Sequence, residues 1–408
     1  MSDYRTRLNI AACSLTFVLC AFFIPVRAQV ANDTYDSSTL RVKRMFSQRA
    51  LQALNEGFIG ITQNGTVQKD LFPIRASGVS TEPVVKAAAL FLASLNPQQK
   101  VRTVFSVQDS EWRNWSNVDN GIFVRQGVSL KEMTVHQRNA AITLLQTSLS
   151  AQGLQLSLDI MKTDQTLREI NADLLSYDED LYFFTIMGLP SADEPWGWQI
   201  DGHHLVINYF VLGDQVVMAP VFMGGEPVKT ATGKYAGNHI LQKEQNAGLA
   251  LMRTLNADQQ KAATLEYTKL HNNNVAEANR DNLMLQYQGT PVADFTDIQK
   301  RQLVKLLELH VGNIRDDQAS IKMEQVTAHL DESWFAWVGA VADDSVFYYR
   351  YHSPVVLVEF DHQIPVGTNV LNQEQKPTRD HIHVVVRTPN GNDYGKDLLR
   401  QHLLQHEH

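Results

Sequence analysis

Cysteine is almost missing from this 408-residue chain, and both copies, Cys13 and Cys20, fall within the first 28 residues. Beyond them the chain can form no disulfide, has no thiolate nucleophile and has no cysteine metal ligand. Any metal must then be held by His, Asp, Glu or Asn. Long hydrophobic runs are missing too. After residues 10–24 no stretch approaches the roughly 18 apolar residues of a membrane-spanning helix. Basic runs are absent and the net charge is −8, which argues against a nucleic-acid partner. There is no Gly-rich phosphate loop, no G-x-S-x-G elbow and no H-E-x-x-H helix, so three common catalytic frameworks are excluded by motif. What remains is a composition of 44 % hydrophobic and 20 % charged residues, which excludes a disordered or fibrous chain.

The N-terminus reads as an export signal. Arg5 and Arg7 precede the apolar residues 10–24, Pro25 interrupts the run, and Val26-Arg27-Ala28 forms a cleavage site before Gln29. The run is shorter than the ~20 residues of a membrane helix. The expected mature protein begins at residue 29, is secreted or periplasmic, and is not held in a membrane. Asn32, Asn64 and Asn114 head N-x-S/T sequons, which matter only in a glycosylating host.

Residues 29–83 read as a lead-in with one helix over 39–54. Val84, Ala88, Phe91, Leu92 and Leu95 form a helical stripe. Asn96-Pro97 supplies an N-cap with proline at the first helical position. Further helices are expected around 141–149 and 156–175. Strands follow at 181–186, 196–200, 203–211 and 215–222, with turns at Asp201-Gly202 and Gly213-Asp214. The later half repeats the plan. Residues 94–100 resemble 254–261, 134–145 resemble 296–307 with Gln137 over Gln299, and 182–188 resemble 334–339. Residues 198–208 lie over 349–359 without a gap. Helices followed by antiparallel strands predict an α+β fold. The expected organisation is an internal duplication, residues 84–239 and 240–408, with two sheets paired about a pseudo-twofold axis.

Polar residues interrupt the strand pattern in three places. In residues 381–387 the side chains of His381, His383, Val385 and Arg387 share one face. Two His at i and i+2 stand about 6.6 Å apart along a strand, and a third ligand from a neighbouring strand would complete a metal site. Glu359 follows an apolar run and aligns with Asn208, which makes it the expected carboxylate ligand beside His381 and His383. Such a set suits a divalent transition metal: Zn, Cu or Fe. An ion pair of Glu359 with Arg350 or Arg387 is the competing account. His204 shares a face with Asn208 and is the expected further ligand or general base, with Asp201 holding a His tautomer. In regular strand geometry His203 would point the opposite way and pack. Arg387 is the expected anchor for an anionic substrate group. The Trp112–Trp115 segment offers a stacking surface or a core contribution. Asp393 is the expected cap of a helix over 396–405. His402, His406 and His408 form a tail that can take up metal adventitiously.

Several blocks resemble the domain-of-unknown-function family 3500. They are residues 196–205 (W-G-W-Q-I-D-G-H-H-L) with Pro220-x-Phe222-x-Gly224, then residues 335–339, 348–350, Glu359-Phe360-Asp361, His381-Ile382-His383 and Asp393-Tyr394-Gly395. The resemblance runs from about residue 84 to the C-terminus. It implies kinship with mostly exported proteins and carries no substrate or catalytic residue, so the sites above rest on spacing and faces alone. The expected function is a metal-dependent hydrolase or oxidoreductase acting on a small-molecule or extracellular substrate. The alternatives are a non-catalytic extracytoplasmic binding protein and a metal-free enzyme using His204 with Asp201 or Glu359.

Overall fold

The computed structural model describes residues 37–172, 174–368 and 375–406. The expected leader, Asn32 and His408 lie outside them. No helix among the described residues is long and apolar enough to cross a membrane. In chain order the elements of the first half are helices α1 (Ser37–Leu54), α2 (Glu82–Ser94) and α3 (Pro97–Thr103), strands β1 (Val104–Phe105) and β2 (Val128–Ser129), helices α4 (Val135–Ser148) and α5 (Ala151–Ile170), and strands β3 (Phe183–Met187), β4 (Trp196–Gly202), β5 (Leu205–Leu212) and β6 (Gln215–Gly225). The second half holds α6 (Gln242–Thr254), α7 (Ala257–Ala263), β7 (Thr264–Glu266), β8 (Thr290–Pro291), α8 (Asp297–Val311), α9 (Asp316–Ala328), β9 (Trp334–Gly339), β10 (Phe347–His352), β11 (Leu357–His362), β12 (Ile382–Arg387) and α10 (Lys396–Gln405).

Helix starts follow the caps. Asn96 accepts from the N–H of Gln99 at 2.9 Å and Gln99 returns the bond at 3.1 Å, a reciprocal box that satisfies two donors at once. Thr134 with Gln137, Asn256 with Gln259 and Thr296 with Gln299 do the same for α4, α7 and α8. The two box glutamines of α4 and α8 make matching cross-links. Gln137 donates to Ser94 O and Gln99 Oε1, and Gln299 to Thr254 O and Gln259 Oε1. Helix α5 starts earlier than expected because Ser150 caps it, accepting from Gly153 N.

The strands form one 12-stranded mixed sheet in the order β1-β3-β4-β5-β6-β12-β11-β10-β9-β7, with β2 on β3 and β8 on β9. The two expected sheets are thus one. Strands β6 and β12 pair antiparallel, Val221 with Val386 through Gly225 with Ile382, which removes two edges that would otherwise expose a row of unpaired backbone groups. The meanders are antiparallel, but each half adds a short parallel strand, β1 on β3 and β7 on β9. Within the hairpins Gln199 faces Asn208 and Arg350 faces Glu359, the register that the gapless overlay of residues 198–208 on 349–359 requires.

Helices cover one face of the sheet, burying Phe91, Leu144, Ile160, Leu249, Leu303 and Leu307 against the strands. Irregular segments cover the other face with Phe72, Trp112, Trp115, Leu285 and Tyr394. The two Trp are therefore core, not a stacking surface. Because both faces are covered, polar side chains that alternate with Val206, Phe222, Leu357 and Val385 on the second face are buried. An unpaired polar group there is costly, so any that lacks a partner needs a reason.

The hairpin turn differs from the expectation. Gly202 pairs with Leu205, so the two turn residues are His203 and His204, and Asp201-Gly202 ends the strand. His204 takes the left-handed conformation with φ of 61°. Asp201 is drawn inward by Arg125, 3.0 Å away, and by the N–H of Ser116. The small size of Gly202, not its freedom, is what matters: a Cβ there would strike the Tyr182 ring. Helix α10 forms over the expected residues, but Asp393 does not cap it. Its carboxylate accepts from Thr388 N at 2.6 Å and pairs with Arg387 at 2.9 Å.

Candidate metal centre

The seam between β6 and β12 brings three imidazoles together. His383 pairs with Gly224 across the seam. A Cβ on Gly224 would come within 3.2 Å of His383 Cδ2, so glycine leaves the ring its space. The carbonyl of His204 accepts from Gly224 N at 2.8 Å, which fixes the hairpin turn over the same residue. Ring nitrogens of His204, His381 and His383, all buried, lie within 4.8 Å of one another. Residues 381 and 383 share a face as the alternation required, and His204 joins them from the turn.

The proton inventory of these rings is unusual. His381 Nδ1 lies 2.9 Å from the carbonyl oxygen of Ile364 and 3.3 Å from the Glu226 carboxylate. Both are acceptors, so Nδ1 carries the proton. His383 Nδ1 lies 2.8 Å from Glu277 and carries its proton for the same reason. The two Nε2 atoms then face each other 2.9 Å apart, and in neutral rings each presents a lone pair. Two tetrahedral metal–nitrogen bonds of about 2.05 Å would set such atoms roughly 3.3 Å apart. His204 adds Nδ1, buried and with no hydrogen-bond partner.

The downward shifts of His381 and His204 suit ligation by neutral rings. Burial, against the nearby Glu226, pushes His381 down to about 4. Burial and the neighbouring His203, His383 and His381 hold His204 well below the usual histidine range. Glu277 moves down from its ordinary value: burial works to raise it, but the facing His383 and the Asn274 amide outweigh burial. Glu226 moves the same way against its burial, through His381 and the hydroxyl and backbone donors of Thr368 and Gly367.

A second layer orients the rings. His203 and His204 do not point apart, as a regular strand would require, because they form the turn. Their rings stack at 3.8 Å. His203 Nδ1 is 2.5 Å from Asp164, and Tyr182 donates to the same carboxylate at 2.7 Å. Burial works to lower His203, but Asp164 raises it above the ordinary value.

The other expected site residues are placed elsewhere. Glu359 accepts from Val275 N, Ala276 N and the Tyr348 hydroxyl, the last at 2.6 Å. Asp361 takes Asn273 N at 2.6 Å and Lys269 at 2.7 Å. The two carboxylates thus anchor four consecutive backbone N–H groups of one loop, and the next residue on that loop is Glu277. Glu359 is connected to His383 through that loop and lies outside the cluster of His204, His381 and His383. Asp201 meets Arg125 and no histidine. Arg387, fully buried, is held by Asp281 at 2.7 Å and Asp393 at 2.9 Å, so its charge is answered by protein carboxylates. Sequence reasoning missed Glu277, Asp164 and Glu226. Only Asp164 left a trace, a polar residue on the apolar stripe of Ile160 and Leu167 in α5.

The chain belongs to the family described as Protein of unknown function (DUF3500), whose model matches residues 77–396. The match takes in every residue of the cluster and its second layer. No curated protein and no solved structure matches the chain.

Proposed function

We propose that His204, His381 and His383 bind one divalent transition metal and that the protein is a metal-dependent enzyme, a hydrolase or an oxidoreductase. The observation that carries this reading is the Nε2–Nε2 approach of 2.9 Å between two rings whose Nδ1 protons are both directed at acceptors. Facing lone pairs repel unless a shared proton or a metal ion lies between them, and the partnerless Nδ1 of His204 beside them favours the metal. Histidine ligands characteristically donate their other N–H to a carboxylate or carbonyl, which Glu277, Ile364 and Glu226 receive here. Three protein ligands leave a position open for substrate, as in catalytic rather than structural sites. A bound ion would supply Lewis acidity, with Zn favouring hydrolysis and Cu or Fe favouring oxidation. Glu277, with a side chain 28 % exposed, lies on the solvent side and fits a small-molecule substrate arriving there. His203 and Asp164 hold the His204 ring by stacking. Glu359 and Asp361 hold the loop that carries Glu277.

The reading extends to organisation and location. Paired capping boxes, matching Gln137 and Gln299 cross-links and the strand order all support an internal duplication about the β6–β12 seam, with the metal centre on the seam. The leader pattern and the cysteine-free remainder support export. N-terminal sequencing of protein recovered outside the cytoplasm should begin at Gln29. Binding without turnover is the rival function, but the Trp residues it would use for stacking are buried.

Elemental analysis of protein purified without a metal-affinity step tests the centre. About one metal per chain is expected, lost in a His381→Ala/His383→Ala variant and kept when His402, His406 and His408 are changed to Ala. Retention in the first variant, or loss in the second, would overturn the assignment.

A further inference from the structure

The seam strands carry a second feature beyond the metal centre. Val386 lies three residues along β12 from His383, about 10 Å. There a cavity of about 330 Å³ opens between the strand ends, α9 and the segment around Phe72, within the ~300–1,000 Å³ range of small-molecule sites. Its walls include Val216, Met218, Val221, Ile314 and Val386. Arg75, Gln215, His310, Gln318 and Asn392 stand beside them, and the one amine on the wall is that of Lys322.

The surroundings of Lys322 suit a neutral amine. Its Nζ donates to Val355 O at 2.8 Å and to Gln325 Oε1 at 2.9 Å, and the Phe72 ring lies 5.8 Å away. Two acceptors match the two hydrogens of an uncharged amine and leave its lone pair without a protein partner. No carboxylate among the described residues forms an ion pair with it. Burial, opposed by the more distant Asp393, pushes Lys322 down to about 7. A lysine desolvated in an apolar pocket is an activated nucleophile.

We propose that Lys322 is the reactive group of a second site, separate from the metal centre, that condenses with the carbonyl of a small aldehyde or ketone held in this cavity. The Nζ lone pair attacks the carbonyl carbon and a C–N bond forms. The carbonyl oxygen departs as water with the two amine hydrogens, leaving a C=N bond. No oxidant or reductant takes part, and hydrolysis reverses the step.

Reductive trapping tests the proposal. Full-length protein is incubated at pH 7 with hexanal and cyanoborohydride, and the alkylated lysines are located by peptide mass spectrometry. An ordinary lysine is neutral in about one molecule in 2,500 at pH 7, so Lys322 should label at least about 100-fold faster than exposed Lys86. Lys322→Met should remove that fast adduct and leave the slow surface ones. Cyclohexanone in excess should slow labelling of Lys322 in the unaltered protein and leave Lys86 unchanged, which reads the cavity even where the variant fails to fold. Labelling of Lys322 no faster than Lys86, or no protection by cyclohexanone, would overturn the proposal.

Discussion

The polar side chains of β12 and its approach, His381, His383 and Arg387, share one buried face, and the two ends treat them differently. At the C-terminal end Arg387 meets Asp281 and Asp393, Asp281 also takes Arg113 at 2.7 Å, and the Tyr394 hydroxyl donates to Asp281 at 2.9 Å. Two cations face two carboxylates, and charge is balanced within the protein. At the other end each His satisfies one nitrogen with a protein acceptor and turns the second toward another His. Burial of a polar group is therefore no sign of function by itself. The distinguishing property is whether the protein supplies the opposite charge, as Asp281 and Asp393 do for Arg387. Arg387 read as functional from its face alone, and the two carboxylates that answer its charge make it structural.

The comparison can be broken at several points. The largest effect is expected from Asp281→Asn, which leaves Arg387 and Arg113 short of countercharge. Stability should fall by about 3–5 kcal/mol in denaturant unfolding, with metal content unchanged. A loss of metal with little loss of stability would exchange the roles of the two ends.

Acid should expose a buried histidine that belongs to neither end. Burial pushes His310 down to about 3, below the unfolded value of about 6.5. Above pH 6.5 neither state binds the proton and nothing is lost. As pH falls below 6.5 the unfolded chain takes up the proton first, so stability drops by about 1.4 kcal/mol per pH unit until the folded value is reached. Between pH 6.5 and 5 the unaltered protein should lose about 2 kcal/mol more than a His310→Phe variant. Equal losses in both proteins would remove His310 from the acid response.

Glu277→Gln sharpens the metal end. Glu277 orients His383 without ligating, so the variant should bind metal about 10–100-fold more weakly in competition with a chelator and still reach the same stoichiometry. Unchanged affinity would mean that the second layer does not act on the ring. The smallest effect is expected for His383→Ala in the metal-free protein. Removing one of two facing lone pairs should change stability by no more than about 1 kcal/mol, although the site is lost. A cost of several kcal/mol would mark the pair as structural, like Arg387.

The sequence carried much of this arrangement. Asn96, Thr134, Asn256 and Thr296 announce helix starts because a short polar side chain can close a backbone donor locally. The alternation around His381 and His383 gives their common face because the strand period is two. What could not be read depends on contacts between distant segments. Glu277 sits in an irregular stretch without periodicity, and Glu359 and Asp361, more than 80 residues away, hold the loop that brings it to His383. Asp201-Gly202 has the composition of a turn, yet the contacts of Asp201 with Arg125 and of Gly202 with Tyr182 extend the strand and pass the turn to His203 and His204. That displacement is what makes His204 available to the centre. Glu359 did need a reason for its burial, and the reason is a loop's backbone.

X-ray absorption spectroscopy of the metal-loaded protein tests the central claim most directly. The account predicts three imidazole nitrogens at about 2.0–2.1 Å for Zn, with a fourth position held by an exchangeable light atom. The imidazole count should fall to two in His204→Ala. A first shell dominated by carboxylate oxygen, or an unchanged three-imidazole spectrum in that variant, would contradict it.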